Sequence, residues 1–386
     1  MTVAGLIALA ACCSFMALAL HPFTAYPLSL ALLRRLRPQP VRPVPDGGPR
    51  SFAVCLCAYN EEAVIEDKVL NLLEMRQALG GALDILVYVD AATDRTAELL
   101  RRHEDVLTLV VSPQRHGKTH GMNRLVSLTR ADVVIFTDAN VRIDPETLPN
   151  LARYFADPSV GCVCGTLTYT NDDETPTAAS GAAYWRLEET IKQLESDTGS
   201  VIGADGSVFA IRRELHRPVP EDIIDDFHVS LSILCDGRRV VRAPDIRAYE
   251  KGATSSGDEF RRKVRIACQA VNVHRLLRPR IARTDLLTRY KYASHKWLRW
   301  MTGFLLAAAG LSGLLFLWLA FQWTGLAVAF AGAGAAALLD RLGVARVRTV
   351  REILSAFAAT AVGVLRSYRG DRFQTWTPAQ SVRRAQ

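Results

Sequence analysis

The sequence lacks the signals that would make it a disulfide scaffold, a zinc module, a phosphate-loop protein or a nucleic-acid binder. Eight cysteines in 386 residues are too few and too scattered for the framework of a small secreted domain. Cys12 and Cys13 lie in an apolar start; Cys55 and Cys57 share one face of an expected strand, as do Cys162 and Cys164. Neither pair has C-x2-C spacing or a His pair nearby, which favours buried reduced thiols over zinc. Gly117-Lys118-Thr119 would need a glycine five positions earlier to be a phosphate loop, and Ser112 stands there. His116 and His120 have zinc-like i, i+4 spacing only if both are helical, and Gly117 interrupts them. No basic helix interleaved with aromatics accompanies the net charge of +8, so nucleic acid is not an expected partner. No charged stretch precedes the first apolar run, which weakens a cleavable signal peptide as its explanation. No repeat recurs at a solenoid period.

What is present is apolar sequence at both ends and an alternating pattern between them. Residues 3–20 are uncharged and apolar, long enough to span a bilayer. A second apolar stretch, 23–33, ends in Leu33-Arg34-Arg35-Leu36-Arg37. Near the other end, 301–321 and 325–339 are separated only by Gln322-Trp323-Thr324, the pattern of a membrane hairpin. Its second leg is rich in Gly and Ala, which suits close helix packing in lipid. Residues 353–365 are too short to span and are expected as an interfacial helix. Trp297, Trp300, Trp318 and Trp323 flank the hairpin and are expected as interface anchors. The basic residues Arg34, Arg35, Arg37, Lys291, Lys296, Arg299 and those from Arg341 to Arg351 fall on one side if three segments span, which places the middle of the chain in the cytoplasm.

Between the ends, short β-rich runs at 52–58, 83–89, 106–111 and 133–137 alternate with helical patterns at 61–79, 93–102 and 119–129. Asp144-Pro145-Glu146 reads as the start of a further helix, with an acid at the cap and Pro in the first turn. Strand and helix in alternation at this spacing predict a parallel α/β sheet with its ligand crevice beyond the carboxyl ends of the strands. The expected organisation is a membrane segment at 1–35, a Pro-rich linker at 36–50, an α/β domain at 51–280, a juxtamembrane stretch at 281–300, a hairpin at 301–340 and a basic tail at 341–386 with an interfacial helix.

Two acids stand where such a crevice would open. Asp90 follows Ile85-Leu86-Val87-Tyr88-Val89, and Asp138 follows Val133-Val134-Ile135-Phe136-Thr137. Paired carboxylates there suit a hard divalent cation bridging a diphosphate; alternatively each caps the loop or helix that follows. Asp225-Asp226 opens a helical run at 227–234, where Asp226 taken alone reads as a helix cap. Lys118, taken alone, is an ordinary solvated lysine. Trp185 on the segment 182–195 is suited to stacking on a sugar or to core packing.

Asp138-Ala139-Asn140 resembles the D-x-D motif of nucleotide-sugar glycosyltransferases. With it come Ala58-Tyr59-Asn60-Glu61-Glu62, Asp90, Arg115-His116-Gly117-Lys118 followed by Asn123, Gly203-Ala204-Asp205-Gly206-Ser207 and Asp225-Asp226. Over about 51–277 the chain resembles the inverting family 2 that includes cellulose, hyaluronan, chitin and poly-N-acetylglucosamine synthases. The resemblance implies a GT-A type fold with a mostly parallel central sheet, flanked by transmembrane helices in a multi-pass protein of the cell membrane. It implies a nucleoside-diphosphate sugar donor, UDP-linked, with Ala58, Tyr59, Asn60, Glu62, Asp90, Lys118 and Asp138 at the donor nucleotide. It implies Mg2+ or Mn2+ at Asp138 and Asn140, Asp226 as catalytic base, and Asp205, Gly206, Ser207, Arg262 and Arg265 at the acceptor or diphosphate. The partners implied are the donor, a glycan or lipid-linked acceptor, and membrane lipids.

Two departures matter. Arg262-Lys263-Val264-Arg265-Ile266 stands where processive synthases carry Q-x-x-R-W, so the tryptophan that would stack on a growing glycan is missing, which favours a non-processive transferase making a glycolipid. Asn140 replaces the second acid of D-x-D and removes one ligand charge from the cation. A non-enzymatic membrane scaffold with a degenerate donor site is the remaining reading, opposed by the joint presence of Asp90, Lys118, Asp138 and Asp226.

Overall fold

The computed structural model describes residues 2–375 other than 42, 45, 46, 172, 173 and 253; residues 376–386 of the expected tail and part of the expected linker lie outside that set. The chain opens with α1 (Val3–Leu20) and α2 (Ala25–Leu36). The central region runs β1 (Phe52–Ala58), α3 (Ile65–Ala78), β2 (Leu83–Asp90), α4 (Thr96–Arg101), β3 (Thr108–Ser112), α5 (Lys118–Leu128), β4 (Val133–Thr137), β5 (Arg142–Ile143) and α6 (Thr147–Phe155). It continues through β6 (Val160–Tyr169), α7 (Pro176–Asp197), β7 (Val208–Arg212), α8 (Asp225–Cys235), β8 (Arg239–Glu250) and α9 (Ser256–Ile281). After α10 (Leu286–Tyr292) and a π-helical turn at 293–297 come α11 (Leu298–Arg341) and α12 (Ala345–Tyr368).

The eight strands form one sheet in the order β3-β2-β1-β4-β7-β6-β8-β5. The sheet is mixed, with six of its eight strands pointing the same way and β7 and β5 running against them. β3, β2, β1 and β4 are parallel, but β7 runs antiparallel to both β4 and β6, and β5 antiparallel to β8. The parallel half follows from its strand–helix–strand crossovers, which return the chain to the same edge before each new strand. The strands after β4 return along other routes, and no period in their sequence reports direction. Side chains of β1 alternate between two cores: Phe52, Val54 and Leu56 enter one with α3, α4 and α6, while Ala53 and Cys55 enter the other with α5, α8 and α9. Burial on both faces is the reason the strand reads as a continuous apolar run, and each fully buried aliphatic side chain contributes about 1.5–3 kcal/mol.

Two helix starts differ from expectation. α6 begins at Thr147 because residues 144–147 close a turn first: the amides of Glu146 and Thr147 bond back to Asp144. α3 begins at Ile65 because residues 61–64 turn toward the loop after β2, where the Glu61 and Glu62 amides donate to Thr96 Oγ1 and Asp94 Oδ2.

Residues 3–23, and a stretch within 286–341, are long and apolar enough to cross a membrane. α11 is helical except at Gln322, whose φ of 51° and ψ of −134° interrupt it. The chain reverses there, since a β-carbon on Gly325 would lie 2.7 Å from the Leu317 carbonyl oxygen. α1 lies along the first leg, with Gly5 facing Leu319 and Gly313 facing Cys12. α12 is longer than the 353–365 run suggested and sits tightly on α9, where Gly363 meets the Val264 carbonyl. Trp300, expected at a membrane interface, is instead buried among Phe227, His274 and Tyr292, locking α11 to the sheet domain.

Candidate functional site

β1, β2 and β4 end at one edge of the sheet. The strand order changes direction there, β2 lying on one side of β1 and β4 on the other, so a crevice opens beyond their carboxyl ends. The loops around it are cross-bonded. Asn60, held at φ 54°, accepts the Thr93 amide through Oδ1 at 2.8 Å and donates through Nδ2 to Thr93 Oγ1 at 3.1 Å. Glu62 accepts the Arg95 amide at 3.1 Å. Asp90 is buried and accepts the amides of His116 and Gly117 at 2.7 and 3.0 Å, with the Arg115 guanidinium 3.6 Å away. Arg115 also lies over the Tyr59 ring at 3.5 Å. Ala58, Tyr59, Asn60, Glu62 and Asp90 thus line one side, and Asp90 shapes the loop that delivers Lys118.

The charged centre lies at the foot of that loop. Lys118 Nζ is 2.6 Å from Asp138 Oδ1 and 4.0 Å from Asp225 Oδ2. Gly206 faces the same point: a β-carbon there would be 3.1 Å from Asp226 Oδ2, 3.3 Å from Lys118 Nζ and 3.6 Å from Asp138 Oδ2. Residues from four segments of the chain therefore converge on one small volume that only glycine leaves open. Burial pulls the Lys118 ammonium down, but the carboxylates of Asp138, Asp225 and Asp226 outweigh it and raise it above the usual lysine range. Burial, then the neighbouring Asp225 carboxylate, push Asp226 up to about 7, with Lys118 opposing them. Asp226 Oδ1 accepts the Phe227 amide at 2.5 Å, a helix-start bond, while Oδ2 faces the open volume. Arg265 completes the electrostatics: burial and then Arg262 lower it to about 10, against the pull of Asp138 and Asp226.

The other expected site residues are distributed around this centre. Asn140 donates through Nδ2 to Glu250 Oε1 at 2.9 Å, which fixes its amide and brings a second carboxylate beside the D-x-N segment. Asp205 is held by Lys192 at 2.6 Å and by the Ser207 amide and hydroxyl; it braces the 203–207 loop. Arg262 pairs with Glu259 at 2.8 Å. Trp185 donates to the Leu167 carbonyl and packs on Tyr169, a core position.

Sequence reasoning missed three features. Lys68 is buried behind the crevice, donating to Thr137 Oγ1 and the Val141 carbonyl, and burial lowers it to about 7. Glu250 ends β8, a strand not placed from sequence. A buried polar cluster joins α7 to the apolar helices: His295 lies between Glu188 and Glu195 at 3.0 and 2.7 Å, Tyr26 donates to Glu195, and Arg299 pairs with Glu188. The spacing of Glu188, Lys192 and Glu195 along one helix was a readable signal; their partners lay too far along the chain to be inferred.

The chain is similar to known proteins in sequence and in fold. Residues 53–219 match the family model for glycosyl transferase family 2. An N-acetylglucosaminyltransferase of Rhizobium leguminosarum bv. viciae is 23% identical over 234 residues, 56% of this chain and 55% of the relative. A beta-monoglucosyldiacylglycerol synthase of Nostoc sp. is 25% identical over 167 residues, 42% of this chain and 36% of that one. The chain spans about half the length of the first of these curated relatives and a smaller share of the second. A mannosyltransferase from Pyrobaculum calidifontis, solved in complex with GDP-Man and Mn2+, has a TM-score of 0.74 at 24% identity, covering 93% of this chain and 99% of that one. At that identity the likeness establishes the fold. Residues 53–219 thus resemble family 2 glycosyl transferases, and the chain shares the fold of the Pyrobaculum mannosyltransferase, built here on a mixed sheet.

Proposed function

We propose that this glycosyltransferase domain moves a sugar, with inversion, from a nucleoside-diphosphate donor, UDP-linked, to a lipid-linked or polysaccharide acceptor at the cytoplasmic face of the cell membrane. The reading is carried by the meeting of Asp226 Oδ2, Lys118 Nζ and Asp138 Oδ2 around Gly206. Inverting transfer needs a base on the acceptor hydroxyl and positive charge at the departing diphosphate. Asp226, with its affinity for a proton near neutrality, is matched to the first task, taking the hydroxyl proton onto Oδ2. Lys118 is matched to the second. Asp90 holds the Lys118 loop in place, and the braced 203–207 loop limits where an acceptor hydroxyl can stand.

The oxygen-rich edge formed by Asp138, the Asn140 carbonyl and Glu250 fits a hard divalent cation. Mg2+ or Mn2+ held by Asp138 and Asn140 would offset negative charge growing on the diphosphate leaving group. One fewer formal charge on Asn140 makes that affinity depend on the diphosphate itself.

The replacement of Q-x-x-R-W by Arg262–Ile266, together with the apolar segments at 3–23 and within 286–341, favours a non-processive reaction on a glycolipid precursor. The test is incubation of the detergent-solubilised protein with a panel of nucleotide-sugars and candidate lipid acceptors. Released nucleotide is measured, and the anomeric configuration of the product is read by NMR. Absence of nucleotide release with every donor, or retention at the anomeric carbon, sinks the reading.

A further inference from the structure

His116, His120 and Glu221 lie outside the chemistry assigned above, yet their ligand-capable atoms all fall within 4.8 Å of one another. The sequence argued against this grouping because Gly117 interrupts a helix through both histidines. The structure removes that objection: α5 starts at Lys118, and Gly117, at φ 90°, turns the chain so that the His116 ring stacks on His120 with centroids 4.5 Å apart. His120 Nδ1 is 2.6 Å from Glu221 Oε1.

We propose that these three side chains form a second cation site, for an imidazole-preferring ion such as Zn2+, separate from the diphosphate cation at Asp138. Two imidazoles and one carboxylate are the donor set of three-ligand zinc sites, which leave a further position to water. Imidazole nitrogen selects Zn2+ over the Mg2+ or Mn2+ suited to an all-oxygen donor edge. The backbone that carries the site is held in place, and Glu221 has an outer partner of the kind that steadies a metal-ligating carboxylate. Asp90 fixes the His116 amide at 2.7 Å, and α5 carries His120. Gln374 Nε2 donates to both Glu221 Oε2 and the His116 carbonyl at 3.0 Å. His120 and Glu221 are partly exposed, with side-chain accessibilities of 33% and 44%, so an ion reaches them from solvent. Bound there, it ties the 115–117 loop, next to Lys118, to the segment leading into Asp225 and Asp226.

The test uses the full-length, detergent-solubilised protein stripped with a chelator and titrated with Zn2+ alone by calorimetry. Co2+ absorption serves as a second probe of the ligand set. One equivalent is expected to bind, with an affinity unchanged by UDP and by Asp138→Asn. His120→Ala and Glu221→Gln, each checked for an unaltered circular dichroism spectrum and cooperative melt, are expected to weaken binding by at least ~10-fold. No Zn2+ binding by the wild type overturns the proposal and leaves an ordinary histidine–carboxylate hydrogen bond. Equal binding by wild type and both variants also overturns it, assigning the ion to other groups such as the cysteines.

Discussion

Replacement of Asp226 by Asn tests the proposed chemistry at the atom on which it rests. The substitution keeps the shape and the bond from the Phe227 amide to Oδ1, but removes the proton acceptor that faces Gly206. Transfer is expected to fall by ~100- to 10,000-fold, the usual range for loss of a general base, with UDP binding within a few-fold of wild type. The wild type carries a further signature. With Asp226 at about 7, kcat/KM should rise about tenfold per pH unit below neutrality and level off above it, and the residual activity of Asp226→Asn should lack that limb. Stability moves the other way. The folded protein holds this proton more firmly than the unfolded chain, whose carboxyl titrates near 3.8. The contribution is complete below about pH 4 and is lost as pH rises through about 7. The difference is on the order of 4 kcal/mol at ~1.4 kcal/mol per pH unit, so Asp226→Asn should melt at or above the wild-type temperature at pH 8. Radiolabelled sugar transfer across pH 5–9 and thermal melts decide. Transfer within a few-fold of wild type, or an unchanged acid limb, refutes the assignment.

Lys118→Met removes the cation shared by three carboxylates. Asp226 should titrate still higher and shift the acid limb of kcat/KM upward, with about 3–5 kcal/mol of stability lost to unpaired buried charge; an unmoved pH profile contradicts the cluster. Asn140→Asp places a carboxylate beside Glu250 and should tighten Mn2+ or Mg2+ binding without nucleotide. Tight wild-type binding without UDP that is unchanged in Asn140→Asp shows that this residue does not address the cation. Cysteines introduced near Ser51 and Gln386 should resist an impermeant thiol reagent in intact cells, and labelling at either site reverses the proposed topology. A fragment containing only 51–280 should melt less cooperatively and lose most transfer activity, because Glu188 and Glu195 lose Arg299, His295 and Tyr26; a fragment as stable and active as the full chain refutes that coupling.

Legibility in the sequence followed the range of each signal. β1 and β4 were placed to the residue, because strands buried on both faces announce themselves as uninterrupted apolar runs between turn residues. The acids ending β2 and β4 followed at once, since strand ends are fixed by the same runs. The helix starts at 65 and 147 were misplaced because side-chain bonds to Asp144, Thr96 and Asp94 select turns that compete with helix. Strand direction beyond β4 carries no local pattern. Trp300 reads as a membrane-interface anchor because an apolar run follows it, whereas its partners Phe227 and His274 come from sequence far away. Glu250 and Lys68 stayed invisible for the same reason: their roles depend on which elements the fold brings beside Asn140 and Thr137.

The buried charges on α7 show why the site and the apolar helices form one packing unit. Lys192 holds Asp205 and so fixes the loop that ends at Gly206. One turn to either side, Glu188 and Glu195 are committed to Arg299, His295 and Tyr26, which belong to the segments at the two ends of the chain. A buried carboxylate without its partner costs several kcal/mol, so the register of α7 against the apolar helices is tightly specified. Lys291 adds to this by donating to the carbonyls of Glu195, Thr198 and Ser200 at the carboxyl end of α7. A shift of the apolar helices relative to the sheet would have to break these bonds or carry α7 along, and with it Lys192, Asp205 and Gly206. The placement of Gly206 beside Asp226 is therefore set jointly by the sheet and by the apolar helices.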